Sequence, residues 1–297
     1  GSLDVDTISA GSPKVSVNFD SASMKNLLLP SAGETDPIKS LQFYSRFDLG
    51  KGTISSADKI VATLGVSYIN VTPFDATTPM KMTSEITDIT VETSSIPNTE
   101  FQKAISDLGY GTKFNGHIAM DATWSLSDGV MEITKYDFII KDVGTFSMPF
   151  GIGGYTAAKM KQMQQMNQEM KGKSEQEQGI ASMKLLADLS LRNFTFSFKD
   201  DSLTNRGLKL ASTKMGQPPE QLAVMAPMMI GIGMGKFNMP KLTEMVSKAI
   251  GKFLAKPGTI SVNVNPTEPI LFVDLASAGA SDPTALVKLL NLQVSAQ

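Results

Sequence analysis

Residues 117–140 read HIAMDATWSLSDGVMEITKYDFII, two runs of alternating apolar and polar residues around Ser127-Asp128-Gly129. Alternation with period two marks a half-buried strand, and a short Asp-Gly turn between two such runs marks an antiparallel hairpin. Ile118, Met120, Ala122, Trp124 and Leu126 then share one face of the first strand. Downstream, Asp142-Val143-Gly144 supplies a second tight turn into TFSMPF (145–150). Upstream, KVSVNF (14–19) turns Val15, Val17 and Phe19 to one side, and MKMTSEITDITVET (80–93) carries Met80, Met82, Ile86, Ile89 and Val91 among threonines. Long strands of this kind joined by short turns predict an antiparallel meander over residues 15–150.

A weak internal similarity runs through the chain. DKIVATLG (58–65), QKAISDLG (102–109) and TALVKLLN (284–291) each read as a short helix that ends in Leu followed by Gly or Asn. A strand is expected after each: VSYINV, YGTKFNGHIAM and LQVSA. Gly65, Gly109 and Asn291 tolerate the left-handed conformation that closes a helix. Asp282-Pro283 offers a capping side chain and a proline at the first helical position of the last unit.

Residues 151–297 are richer in helix and are expected to complete the same sheet as one continuous domain. From Pro240 to Ala255, Leu242, Met245, Val246, Ala249, Ile250, Phe253 and Leu254 recur at steps of three and four, with Lys241, Glu244, Lys248 and Lys252 on the other side. This is an amphipathic helix, stopped by Lys256-Pro257-Gly258 and followed by the strand TISVNVNP. Residues 156–172 predict a second helix with a stripe of Met160, Met163, Met166 and Met170, and KGKSEQEQG (171–179) after it reads as a solvated connection or a frayed helix end.

The segment LAVMAPMMIGIGMG (222–235) has no charged side chain. Pro218-Pro219 suit a helix start, so residues 219–234 predict a helix kinked at Pro227. A helix apolar all round is expected to be covered on every side. One reading makes it a central core helix, since methionine fills irregular gaps. The other makes Met225, Met228, Met229, Ile232, Met234, Met239, Met245 and Phe253, with Met120 and Trp124 of the sheet, the lining of a site for an acyl chain or other apolar ligand.

Composition narrows the function classes. The chain has 297 residues, 41% hydrophobic and 19% charged, with a net charge of -2. Only Arg46, Arg192 and Arg206 are arginines, which argues against nucleic acid as a partner. Cysteine is absent, so disulfides, thiolate metal sites and cysteine nucleophiles are excluded. No run reaches the ~20 apolar residues that a spanning helix needs. Gly1-Ser2 reads as a cloning remnant, so a signal peptide is expected to have been removed. His117, the single histidine, sits mid-strand and reads as structural or surface. There is no Gly-x-Ser-x-Gly elbow, and GIGMGK (231–236) lacks both the first glycine and the Ser or Thr of a phosphate loop. Asp4/Asp6 and Asp200-Asp201 lack the ligand spacing of a calcium loop. No metal, cofactor or catalytic residue is expected.

The succession DLGYGTKFNGHIAMDATWSLSDGVMEI (107–133), KDVGTFSM (141–148), KDDSLTNRGLKLAS (199–212), FLAKPGTISVNVNPTEPI (253–270) and DPTALVKLLNLQVSAQ (282–297) resembles a family of uncharacterised bacterial periplasmic or envelope proteins. The resemblance covers residues 100–297 and rests on pattern order; it implies a periplasmic location and no established activity. More distantly, the long-stranded meander with inserted apolar helices is similar to AsmA-like and tubular lipid-binding proteins. The expected fold is α+β: a long, strongly curved antiparallel sheet wrapping one or two apolar helices. The expected function is non-enzymatic binding or transport of a lipid or other apolar ligand in the cell envelope, with peripheral membrane or envelope-protein contact. The alternative is a structural or interaction protein with a dry, Met-rich core and a partner-docking helix at 156–172.

Overall fold

The computed structural model describes residues 2–297 except 13, 14, 35, 37, 40–42, 57, 58, 76 and 237. The fold is α+β, built on one large antiparallel sheet. Its first strands are β1 (Leu3–Val5), β2 (Ile8–Ser12), β3 (Val15–Phe19), β4 (Ala22–Lys25), β5 (Arg46–Leu49), β6 (Gly52–Ser56), β7 (Lys59–Leu64) and β8 (Ser67–Val71). These are halves of longer lines. β1–β2 pairs back on β3–β4, that line on β5–β6, and that on β7–β8, each antiparallel to the line before it. Of residues 58–65, expected as a helix, Lys59–Leu64 form β7; Asp58 lies outside the described residues. Lys59–Leu64 is held on both sides, by β6 and by the next strand, and that pairing overrides a helix-like local pattern.

The meander continues through unbroken strands: β9 (Met80–Glu92), β10 (Lys113–Ser125) and β11 (Val130–Ile140). The quoted hairpin is β10–β11, with Trp124 opposite Met131 and Ile118 opposite Phe138, and Gly129 takes φ 73 in its turn. Then come β12 (Gly144–Ser147), β13 (Phe150–Gly153), β14 (Ser190–Asp200), β15 (Thr259–Val264), β16 (Ile270–Leu271) and β17 (Gln293–Ala296). β12 and β13 bridge β11 to β14, β14 pairs β15 and β16, and β17 closes the order on β15.

The breaks in the early lines align. Asp20-Ser21, Gly50-Lys51, Gly65-Val66 and Thr87-Asp88 lie side by side, and the line ends at His117, where the β9–β10 register shifts between Gly116 and Ile118. Asp88 there takes φ 48. Gly65 is required by close approach: a Cβ would sit 2.7 Å from the Thr87 carbonyl oxygen, which accepts the Gly65 N–H at 2.9 Å. Irregularities of this kind bend strands and raise local twist.

Register and alternation give the sheet two unlike faces. One is polar and tied by side-chain pairs: Arg46 to Asp48 along its own strand, and across strands Arg46 to Asn70, Arg192 to Glu132 and Thr195 to Asn263. The other is apolar along the whole meander, from Met24 and Phe47 through Ile69, Met82 and Ile118 to Phe138, Phe146, Phe196 and Val262. This second face must find cover.

Helices supply part of it. α1 (Thr99–Asp107) follows a short 3-10 turn at Thr93–Ser95, is capped by Asn98, and ends at Gly109 with φ 73. α2 (Ala157–Glu169) and α3 (Glu175–Leu186) stand between β13 and β14. Within the tract 171–179, residues 171–174 are an exposed connection, whereas 175–179 open α3 rather than continue that connection: Ser174 and Glu177 form a reciprocal capping box. α4 (Leu203–Met215), α5 (Pro219–Gly235) and α6 (Pro240–Ala255) follow β14, and α7 (Phe272–Ser281) and α8 (Pro283–Leu289) precede β17. Asp282 caps α8 by accepting the Thr284 N–H at 2.9 Å, and Asn291 takes φ 44 at its joint to the strand.

Two buried clusters close opposite ends of the apolar face. At one, Val71, Met80, Trp124, Leu126 and Ala157 are buried under Phe43, Phe74, Tyr155 and Met160. At the other, Phe198, Phe253 and Ala296 are buried with Phe146, Leu203 and Leu254, where α6 lies on β15 and β17. The expectation that α5 is covered on every side fails. α5 packs on α6 and α4 rather than on the sheet, and Val224, Met228, Met229 and Ile232 are 78, 62, 55 and 73% exposed.

Candidate functional site

Between the two clusters the apolar face stays open and holds a cavity of about 460 Å³. Its floor is Ile89 and Val91 of β9, Phe114 and Ile118 of β10, and Phe138 and Ile140 of β11. Its roof is α1, through Phe101 and Ile105, and Leu108 just after it, with Phe146 and Leu203 at the far wall. α1 buries none of its residues, so it leans over the sheet without filling the space beneath. Gly116 lies in the floor, where a Cβ would come 2.9 Å from the Ile139 carbonyl oxygen. The volume lies within the range of small-molecule sites, and the wall offers contact area rather than charge.

α1 is tied down at its far end. Lys103 donates to Asp107 one turn on, at 3.0 Å, and this partner holds the Asp107 carboxyl below the usual carboxylate range. Lys214 of α4 also lies 3.7 Å from Asp107, so one carboxylate links the two helices that flank the cavity. The pair is partly exposed and contributes little to stability; its consequence is positional.

A polar recess of about 420 Å³ adjoins the cavity and shares Tyr110 and Phe114 with it. Lys113, Lys141, Asp142, Asp201, Ser202 and Arg206 line the rest. The Arg206 guanidinium lies 4.3 Å over the Tyr110 ring and donates to the Gly109 and Leu108 carbonyls. Ser202 Oγ lies against Tyr110 Oη, the Asp142 carbonyl and Arg206 Nε. None of these three groups is a carboxylate or an imidazole. Among the described residues, no three His, Cys, Asp or Glu side chains converge as metal ligands.

The residues singled out from sequence are placed as follows. Trp124 is 6% exposed, stacks on Tyr155 at 5.2 Å and donates Nε1–H to the Tyr155 carbonyl, so it seals one end of the apolar face. Met120 lies half-buried on that face. Phe253 is buried against Phe198 in the opposite cluster. Met225, Met234 and Met245 are half-buried within the α5–α6 hairpin, and Met239 lines a small recess at its tip. Met228, Met229 and Ile232 face outward. The structure therefore separates the sheet residues from the α5 residues. The cavity wall that sequence reasoning missed was signalled by Phe101, Ile105 and Leu108 at steps of four and three along α1 and its C-cap, and by the alternation of Phe138 and Ile140.

No curated protein matches the chain in sequence. A family model described as "Uncharacterized protein" matches residues 137–297, from the middle of β11 to the C-terminal residue, which is more than half of the chain. The chain belongs to that family.

Proposed function

We propose that the chain binds a lipid or other apolar ligand of the bacterial cell envelope, in binding or transport rather than catalysis. The observation that carries this is the open middle of the apolar sheet face. A cavity of about 460 Å³ walled by aliphatic and aromatic side chains is the kind of space an acyl chain occupies. The adjoining recess, with Lys113, Lys141 and Arg206, would take the polar end of such a molecule. A periplasmic location and the likeness to AsmA-like and tubular lipid-binding proteins belong to the same proposal. The interaction-module alternative draws less support from α2, whose Met160 packs toward the buried Trp124 cluster.

Native mass spectrometry of gently purified protein, followed by organic extraction, tests the reading. The expected result is a stoichiometric adduct above the 31.8 kDa chain that yields a fatty acid or phospholipid. Ile105→Trp fills the cavity from a helix with no buried residues, so it should weaken uptake of a fluorescent fatty acid by about tenfold while leaving the melting temperature unchanged. A bare mass together with no uptake of the fluorescent probe overturns it.

A further inference from the structure

α5 and α6 form an antiparallel hairpin whose seam is marked by close pairs. A Cβ on Gly231 would lie 3.5 Å from Ser247 Oγ, and one on Gly251 would lie 3.1 Å from Pro227 Cγ. Residues 227 and 231 thus face 251 and 247. In two antiparallel helices, the residue that follows each seam residue turns about 100° to the same side of the pair. On α5 that side carries Val224, Met228 and Ile232; on α6 it carries Glu244, Lys248 and Lys252, with Lys241 in the same row. All of these are exposed. Nothing charged occurs on α5 between Gln221 and Gly235, and Lys256 follows α6, exposed as well.

We propose that this side of the hairpin is a membrane-docking surface that seats on anionic phospholipid. An apolar helical stripe beside a row of lysines is the chemistry of a helix lying in the headgroup layer: the stripe enters the acyl boundary while the ammonium groups meet phosphate. Lysine stems reach across apolar surface to such groups. No described helix is long and apolar enough to cross a membrane, so α5 lies along the surface. A second copy of the chain fits less well, because it would bring two faces of the same net positive sign together. The inference does not depend on what fills the cavity under α1.

Co-sedimentation of the full chain with vesicles tests it, using phosphatidylcholine alone and phosphatidylcholine mixed with phosphatidylglycerol. Binding to the anionic vesicles is expected, weakening as salt rises. Met228→Glu with Ile232→Glu should lower it about tenfold or more, and Lys248→Glu with Lys252→Glu should do the same and remove the preference for phosphatidylglycerol. Both pairs of positions are exposed, so unchanged thermal melting is expected. Absence of binding by the unaltered chain, or binding by both variants as strong as that of the unaltered chain, overturns the proposal. So does size-exclusion light scattering that shows a dimer in the unaltered chain and a monomer in the variants. Ile105→Trp should leave sedimentation unchanged, which separates this surface from the cavity.

Discussion

Helices α5 and α6 are neighbours of almost equal length, 17 and 16 residues, and each begins with proline. α6 is amphipathic and rests on β15 and β17, with Ala249 4% and Phe253 7% exposed. α5 is the more apolar of the two and lies outside it, with only Leu222 and Ala223 buried. The difference teaches that hydrophobicity and orientation are separate pieces of information. A charged face tells a helix which side to turn to water, and the opposite side is then committed to the sheet. A helix without a charged face carries no such instruction, and here the place on the sheet is already taken by α6.

The largest test of this contrast is truncation on each helix. Phe253→Ala removes a buried ring that packs edge-on against Phe198 at 6.2 Å, and should cost about 3–5 kcal/mol in chemical denaturation. Met228→Ala, at a 62% exposed position, should stay within about 0.5 kcal/mol. Equal losses would break the comparison, because α5 would then be a core helix after all. The seam between the helices gives a smaller, sharper test. Gly251→Ala should gain about 0.5–1 kcal/mol of helix propensity if α5 can yield at Pro227, and should lose stability if the seam is rigid. Smallest of all, Lys248→Ala should leave the denaturation midpoint nearly unmoved, within about 0.5 kcal/mol, while reducing binding to anionic vesicles.

The sheet was legible where alternation was unbroken. The β10–β11 hairpin, its Gly129 turn, and the apolar side of Met80, Met82, Ile118 and Trp124 all follow from period-two spacing. α6, α8 and the Asp282 cap were equally readable, since caps and amphipathic spacing act locally. Residues 59–64 misled because KIVATL suits a short helix or a strand; only its neighbours β6 and β9 decide. α3 was missed because its start is polar, although Ser174 and Glu177 spell a capping box. Of the candidate site, the amino-acid types were legible and their assembly was not. Trp124, Phe253 and Met228 look alike as apolar residues, yet one seals an end of the sheet face, one seals the other and one meets solvent.

By itself the sequence determined what local patterns can determine: antiparallel strands with one apolar side, an amphipathic α6, capped helix starts, and an apolar α5. Tertiary structure alone decided which parts of the apolar face are covered. Strand pairing is set by alternation and turns over short distances, whereas cover depends on segments far apart in the chain competing for the same surface. α6 and the segment around Tyr155 won the two ends, α1 stands off the middle, and α5 was left facing outward.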